Sequence, residues 1–336
     1  MREFFYSFLI FSFIFTIISC GQTTEENVSS AVSKTSDTVN DAGGAINNTL
    51  FGGTDEVSCD NSKAFIVGNA VTEKGCHPNC PKMKAVIWNH QKCMTVVGDS
   101  SYAVDAAEHN GSIYIADDGG FYWIVGNSIT KHQLNYSGYK LLEVTGIDVN
   151  SNGDVYVAGM VKKNGKDYTS YWKNGELANT FRENADWYSE LHVAADSNGN
   201  VYIPGWRMKT HEVTYSALWI NGTRKNLSTS NDGEATDAVI GSETASGSNV
   251  WISGAQGPYT RGGTLAAYWR KKTNGQTVQT KVTKVRTYNL PKNWVYSSRA
   301  TSIFVSGSTV YMAGTVNVIN AGDVPVYWKG KVQHEL

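Results

Sequence analysis

The stretch Ile147–Leu177, IDVNSNGDVYVAGMVKKNGKDYTSYWKNGEL, decides the fold of this chain. Aromatic and β-branched residues alternate with Asn-Gly pairs, and no long segment shows the 3.6-residue period of a helix. Asn-Gly suits the positive φ angles of a tight hairpin turn. The stretch therefore predicts one strand that ends at Gly159 and another that carries Trp172 into the turn at Asn174-Gly175.

Versions of this stretch recur along most of the chain. An apolar-aromatic-apolar run closed by a small residue occupies residues 64–68, 113–117, 155–159, 201–205, 250–254 and 310–314. A tryptophan follows each run: Trp88, Trp123, Trp172, Trp219, Trp269 and Trp328. By subtraction, the gaps between run and tryptophan are 20, 6, 13, 14, 15 and 14 residues. Four of these gaps nearly agree, which indicates a structural repeat, with a lengthened first copy and a shortened second copy.

The repeat predicts an all-β fold. Each unit is long enough for four short strands, and a period of roughly 42 to 60 residues is typical of propeller blades. A single sheet of this size cannot bury both faces, whereas radially arranged sheets cover one another. We therefore predict a β-propeller of six blades, each with four antiparallel strands, with the tyrosines and tryptophans packed between blades. A seventh, degenerate blade is the alternative.

Composition argues against an electrostatic partner. The 336 residues carry a net charge of −1, and 18% of them are charged. Nucleic-acid binding proteins normally show a basic excess or stripe, and this chain shows none, so we expect no nucleic-acid partner. Residues 54–336 suffice for one propeller and no second large domain.

Residues 1–19 have the pattern of a secretory signal peptide. Arg2 precedes an apolar run over residues 4–18, which is shorter than the ~20 residues that a membrane-spanning helix needs. The end of the run, Ile17-Ile18-Ser19-Cys20, resembles a bacterial lipobox. That resemblance implies that Cys20 is lipidated, starts the mature protein and anchors it to a membrane. An ordinary signal peptide with a chance cysteine is the alternative.

The residues after Cys20 bear on location and on the tether. Gly21 is not the aspartate that retains lipoproteins at the inner membrane, which implies the outer membrane, and Glu25-Glu26 resemble surface-export signals. Residues 20–53 are rich in Ser, Thr, Asn and Ala, as in flexible tethers. Apolar residues three or four apart between Val28 and Ile46 leave a short amphipathic helix open, although Gly43-Gly44 would interrupt it.

The other four cysteines are Cys59, Cys76, Cys80 and Cys93. An even number of cysteines in an exported domain favours two disulfides. We favour Cys76–Cys80 and Cys59–Cys93 among the three pairings. Structural zinc is the alternative, with His77 and His90 as further ligands.

Asp148, Asn150 and Asn152, followed by Gly153, match the opening of a calcium-binding loop. The glutamate expected at the twelfth position is absent, because that position is Gly159. An Asx-rich hairpin turn explains the pattern better, so calcium is a weak alternative. We expect no other cofactor.

Four aspartates, Asp105, Asp148, Asp196 and Asp237, lie on or near the predicted innermost strands. Their distances from the following run differ, so we interpret them as solvated loop carboxylates that form no shared ring. No nucleophile has a visible partner, and we assign no catalytic residue. The 271–294 insertion is interpreted as a plain long hairpin. A glycoside hydrolase or lyase, the alternative function, would require Asp105, Asp148 or Asp237 to converge in a pocket.

Residues 110–117, NGSIYIAD, and 196–205, DSNGNVYIPG, resemble the repeat signature of NHL-type and SBBP-type propellers. The resemblance covers most of residues 54–336 in degenerate copies. It implies a propeller, often an exported or surface binding protein. The Tyr-Trp-Lys-Asn-Gly strand departs from both families, so neither their partners nor their sites are transferred. We expect a lipid-anchored binding or scaffold module of the cell envelope, with a protein or glycan partner.

Overall fold

The computed structural model describes residues 65–71, 83–89, 94–98, 102–125, 128–181, 192–210, 213–227, 233–244, 247–257, 264–281, 295–318 and 322–335. The signal peptide, Cys20, the tether and the four cysteines discussed for disulfides lie outside these residues. Their assignments therefore stay predictions. The described part of the chain contains no helix long and apolar enough to cross a membrane.

The described residues form six antiparallel sheets, and within each sheet the strands are neighbours in chain order. The first sheet has β1 (Phe65–Val71), β2 (Met83–Asn89) and β3 (Met94–Gly98). The second has β4 (Asp105–His109), β5 (Ser112–Ala116), β6 (Gly120–Val125) and β7 (Ser128–Gln133). The third has β8 (Lys140–Val149), β9 (Val155–Lys163), β10 (Lys166–Lys173) and β11 (Glu176–Phe181).

The remaining three sheets repeat this meander. The fourth has β12 (Ala194–Ala195), β13 (Val201–Thr210), β14 (Val213–Ile220) and β15 (Thr223–Asn226). The fifth has β16 (Gly233–Thr244), β17 (Gly247–Gln256), β18 (Leu265–Lys271) and β19 (Thr277–Lys281). The sixth has β20 (Val295–Ser306), β21 (Thr309–Val318), β22 (Gly322–Lys329) and β23 (Val332–Glu335).

The first strands of the second to sixth sheets lie beside one another in chain order. Strand β4 contacts β8, β8 contacts β12, β12 contacts β16, and β16 contacts β20. Successive four-stranded meanders that share an inner layer of first strands form a β-propeller, which confirms the predicted all-β class. We call these first strands the inner strands.

The predicted six blades of four strands are wrong. Five sheets have four strands, and the first sheet has three among the described residues. The prediction counted copies of the recurring run, which in the other sheets lies on the second strand. In the first sheet that run, which includes Phe65 and Gly68, lies on β1, so the described strands begin at the position of a second strand.

Asn-Gly pairs make the hairpin turns that the sequence predicts. Between β10 and β11, Asn174 has a φ of 52° and Gly175 a φ of 87°. Two successive positive φ angles match the twist of the flanking strands, which explains why Asn and Gly stand there.

Four of the six recurring tryptophans pack between sheets, as predicted. Trp172, Trp219, Trp269 and Trp328 are at most 1% exposed. Each belongs to a core cluster with residues of the preceding sheet, as Trp269 does with Tyr202. Trp123 differs, because it is 39% exposed and stacks on Tyr114 of its own sheet, with ring centroids 6.1 Å apart.

Three inner strands contain a β-bulge at a threonine. The pairing with the second strand shifts by one residue at Thr145, Thr236 and Thr301. A bulge changes the direction of the side chains that follow it. Thr236 also donates from its Oγ1 to the Ala300 carbonyl oxygen of the next sheet, at 2.7 Å. The bulges therefore decide which inner-strand residue pairs with each residue of the second strand beyond the shift.

Candidate functional site at the inner strands

Strand register brings one residue from each of four inner strands, and a residue just before the fifth, to the same level. Four of them pair with the fourth residue of the recurring run: Asp105 with Ala116, Gly146 with Ala158, Asp237 with Ser253 and Ser302 with Ala313. In the fourth sheet Ala194 pairs with Tyr202, so two residues earlier His192 reaches the level of Pro204. We call Asp105, Gly146, His192, Asp237 and Ser302 the inner ring.

The interpretation of Asp105 and Asp237 as unrelated, solvated loop residues is wrong. Asp105 lies 8 residues before its run and Asp237 lies 13 before its run, by subtraction. The difference arises because the hairpin between β16 and β17 extends to Thr244 and has a second register shift after Ile240. Both aspartates nevertheless occupy the same level, and Asp105 is only 6% exposed.

Three members of the inner ring converge. His192 Nδ1 lies 3.3 Å from Asp105 Oδ2 and 3.7 Å from Asp237 Oδ1. The side chains of His192 and Asp237 are only 10% and 14% exposed. Two carboxylates from the second and fifth sheets thus share one ring nitrogen of the fourth sheet. Asp105 and Asp237 therefore converge, which is the part of the enzyme alternative that strand pairing and distances address.

Three inner-strand aspartates are also held by main-chain amides. Asp105, Asp148 and Asp237 each accept, through Oδ2, the N–H of a residue on the next inner strand. The donors are Ile147 at 3.0 Å, Ala195 at 2.7 Å and Ile303 at 2.9 Å, respectively. In each case the donor follows, by one residue, the residue of that strand that is level with the aspartate. We call these three contacts the amide clamps, and they join consecutive sheets.

Asp148 lies two residues beyond Gly146 on β8. Its side chain keeps some contact with solvent, although protein atoms surround the carboxylate. Burial, with a smaller contribution from the negative charges of Asp105 and Asp237, raises the pKa of Asp148 to about 7. Hydrogen bonds from the amides of Ala195 and Val149 act in the opposite direction. Burial also raises the pKa of Asp237, while His192 opposes that change. Asp148 can therefore exchange a proton near neutral pH.

Asp196, the fourth aspartate, lies apart from the inner ring. It is fully buried and accepts hydrogen bonds from Tyr202 OH at 3.0 Å and from Ser248 Oγ of the fifth sheet at 2.8 Å. Burial acts to raise its pKa, but hydrogen bonds from Asn200, Ser248 and Tyr202 outweigh burial and lower it. Asp196 therefore serves as an ionised link between two sheets.

The oxygens of Asp148 and Asn150, which the calcium prediction would bring together, accept hydrogen bonds from different parts of the chain. Asn150 Oδ1 accepts the N–H groups of Asn152 at 3.1 Å and Asp154 at 3.0 Å, which is an Asx turn. Asp148 Oδ2 instead accepts from Ala195 in the next sheet. Within the described ranges, no group of three or more His, Cys, Asp or Glu side chains could hold a metal ion. Calcium binding stays a weak prediction.

Sequence reasoning missed His192, Gly146 and Ser302. A signal was present, because Gly146 and His192 both lie 9 residues before their runs, and Asp105 and Ser302 both lie 8 before theirs. Asp237 does not follow this regularity, because the longer β16–β17 hairpin places it 13 residues before its run.

No protein-family model matches the chain, and no curated protein matches it either. Similar solved structures include a catalytically inactive virginiamycin B lyase from Staphylococcus aureus with quinupristin, at 10% identity and a TM-score of 0.43, over 82% of this chain and 91% of that one. They also include a gluconolactonase from Xanthomonas campestris, at 11% identity and a TM-score of 0.40, over 74% and 78%. YCF48 bound to D1 peptide has 11% identity and a TM-score of 0.40, over 81% and 76%. Likeness at this level does not bear on function.

Proposed function

We propose that the protein is a lipid-anchored, ligand-binding β-propeller of the cell envelope. Its partner, a protein or a glycan, binds around the inner ring. The observation that carries this proposal is the convergence of Asp105, His192 and Asp237 from three different sheets on one point. A few polar groups brought together by a rigid scaffold are what fixes the orientation of a bound ligand.

Exposed apolar side chains precede the inner ring in the chain. Tyr102, three residues before Asp105, is 52% exposed, and Leu142, four residues before Gly146, is 40% exposed. Both precede ring positions on neighbouring inner strands, and these strands contact each other. Tyrosine offers a flat apolar face with a polar tip, which suits either a sugar or a protein surface.

The amide clamps favour binding over catalysis. Asp105 Oδ2 is engaged by Ile147, and its Oδ1 accepts the N–H of Ala106 at 2.8 Å. Asp237 has the same pair of contacts with Ile303 and Ala238, at 2.9 and 2.7 Å. Main-chain amides engage both carboxylate oxygens of Asp105 and of Asp237 and hold them in place, which suits a fixed recognition surface.

The predicted anchor fits this proposal. A flexible tether over residues 20–53 would have an end-to-end distance of roughly 30 Å. A propeller held by Cys20 at that distance stays within reach of ligands at the membrane surface. The anchor would thus hold the inner ring close to a partner in the cell envelope.

The binding proposal is tested with the mature chain carrying Cys20→Ser, which removes the lipid. Glycan arrays and cross-linking on intact cells identify the ligand class. Tyr102→Ala is expected to weaken binding about tenfold, because it removes a contact beside the inner ring. Val332→Ala is the matched control, since Val332 is 50% exposed on the outermost strand of the sixth sheet. Equal affinity for both variants would contradict this location.

A carbohydrate-active hydrolase or lyase is the second candidate. It is favoured by the shared contact of Asp105 and Asp237 with His192, and by the pKa of about 7 for Asp148, which suits a general acid. In this case Asp148→Asn would lower turnover of a polysaccharide at least about a hundredfold while the protein stays folded. Binding without any turnover in the unaltered protein would leave the binding proposal in place and exclude this one.

A further inference from the structure

His192 makes one contact that skips a sheet. Strand β4 contacts β8, and β8 contacts β12, so the third sheet's inner strand stands between those of the second and fourth. Asp105 on β4 nevertheless lies 3.3 Å from His192, just before β12. The third sheet contributes Gly146 at this level, and a glycine leaves free the space that a side chain would occupy. The contact therefore runs across the inner face of the propeller.

We propose that His192 is a proton-dependent clasp across the inner face of the propeller. When its ring is protonated, it ties the fourth sheet to Asp105 of the second and to Asp237 of the fifth. When the ring is neutral, the clasp opens. This inference does not depend on the identity of any ligand, because it concerns contacts within the chain.

The groups that face His192 explain why a proton controls the contact. Asp105 comes from β4, Asp237 from β16 and Asp148 from β8, and all three are carboxylates near this level. On β13, the register with β12 puts Pro204, which does not titrate, at this level. From β20, Ser302 Oγ donates to Asp237 Oδ2 at 3.1 Å and keeps that carboxylate in place. Histidine is the side chain that ordinarily changes charge between pH 5 and 8.

The direction of the effect follows from charge. A protonated ring attracts both carboxylates at a site where little water screens them. A neutral ring presents only one N–H, which satisfies one carboxylate and leaves Asp105 and Asp237 to repel each other. Burial raises the pKa of Asp148 to about 7, so acidification also removes its charge in the same range. The loss of the Asp148 charge removes its repulsion of Asp105 and Asp237. The clasp therefore closes as the pH falls towards the range in which Asp237, whose pKa is also raised, gains its own proton.

The test is the thermal unfolding of the whole mature chain at pH 5.5 and pH 8.5. His192→Gln keeps a polar side chain of similar size but cannot carry charge. It is expected to lower the melting temperature by roughly 5 °C at pH 5.5 and by less than half of that at pH 8.5. His109→Gln is the matched control, because His109 lies at the other end of β4 and contacts Asn110. The control is expected to change both temperatures equally. An equal loss at both pH values for His192→Gln would overturn the proposal.

A second measurement uses the unaltered protein, so it does not require the variant to fold. The amides of Ile147 and Ile303 donate to Asp105 and Asp237, and their hydrogen exchange reports on these carboxylates. After correction for intrinsic rates, both are expected to be about tenfold better protected at pH 5.5 than at pH 8.5. Val201 is the reference, since its amide donates to the Asn221 side chain at 2.8 Å. Protection that follows the reference at both pH values would refute the clasp.

Discussion

At the residue scale, Asp148 combines a structural contact with an unfavourable charge. Its carboxylate holds the Ala195 amide at 2.7 Å, yet burial and the neighbouring Asp105 and Asp237 charges raise its pKa to about 7. The unfolded chain would release this proton near pH 3.8, the ordinary value for the group. Between these values the folded protein binds more protons than the unfolded chain. Ionisation of Asp148 therefore lowers the free energy of unfolding at neutral pH.

Replacing Asp148 by asparagine should remove a pH dependence. With a raised folded pKa, the contribution of Asp148 to the free energy of unfolding falls as the pH rises from about 4 to about 7 and is constant above that. The asparagine side chain stays neutral at every pH, and its amide oxygen still accepts the Ala195 N–H. We expect the variant to exceed the unaltered protein in stability at pH 8, by on the order of a few kcal/mol at most.

Urea unfolding at pH 5 and pH 8 measures this difference. Asp167→Asn is the control, because Asp167 is 48% exposed in a surface ion pair with Lys162 and should contribute little. If Asp148→Asn and the unaltered protein lose stability in parallel between the two pH values, the raised pKa is wrong.

At the element scale, the tryptophans of the third to sixth sheets connect each of these sheets to the one before it. Trp269 on β18 is fully buried in a cluster with Tyr202 of the fourth sheet. Trp123 on β6 pairs with Tyr114, the second residue of its run, whereas Trp269 pairs with Ile252, the third residue of its run. Trp123 is therefore one position out of register with Trp269, and it is 39% exposed. The same residue type thus fills a sheet interface in one case and lies partly in solvent in the other.

The two tryptophans make a matched pair of substitutions. Trp269→Ala should cost about 3–5 kcal/mol of stability, because it leaves a large cavity between sheets. Trp123→Ala should cost about 1–2 kcal/mol, since less surface leaves the protein interior. Chemical unfolding of both variants measures the difference. Similar losses would show that the interface does not depend on the buried indole.

Strands and turns could be predicted from the sequence, whereas the inner ring left only a partial signal in the spacing of its members from their runs. The recurring run, its tryptophan and the Asn-Gly turns are local signals, and a turn such as Asn174-Gly175 has the expected positive φ angles. Membership of the inner ring depends on pairing between strands instead. The bulges at Thr145 and Thr236 and the longer β16–β17 hairpin shift that pairing without an obvious mark in the sequence. The three described strands of the first sheet were not predicted either. Its run lies on the first described strand, and the sequence does not mark that difference.

At the scale of the whole molecule, the propeller is proposed to be attached through one residue. The inner ring and the amide clamps belong to residues 105–303, whereas the predicted lipid site is Cys20. Attachment and recognition would therefore be separable, with a tether between them. A change at Cys20 should move the protein without altering its fold.

Cys20→Ser should shift the protein from the membrane fraction to the soluble fraction, because it removes the acylated thiol. Fractionation of cells, together with incorporation of a labelled fatty acid, measures the shift. Cys59→Ser is the control, and it should leave the protein in the membrane fraction. Retention of Cys20→Ser in the membrane fraction would show that the signal sequence is of another type.

The amide clamps share a direction. Asp105, Asp148 and Asp237 each reach forward, from one sheet to the inner strand of the next sheet in the chain. A sheet that is complete therefore already displays the acceptor that its successor needs. During synthesis the chain becomes available from its N-terminus, so each sheet could serve as the template on which the following sheet docks. The order of synthesis and the order of assembly would then coincide, which spares the polypeptide from finding its sheet neighbours by long-range search.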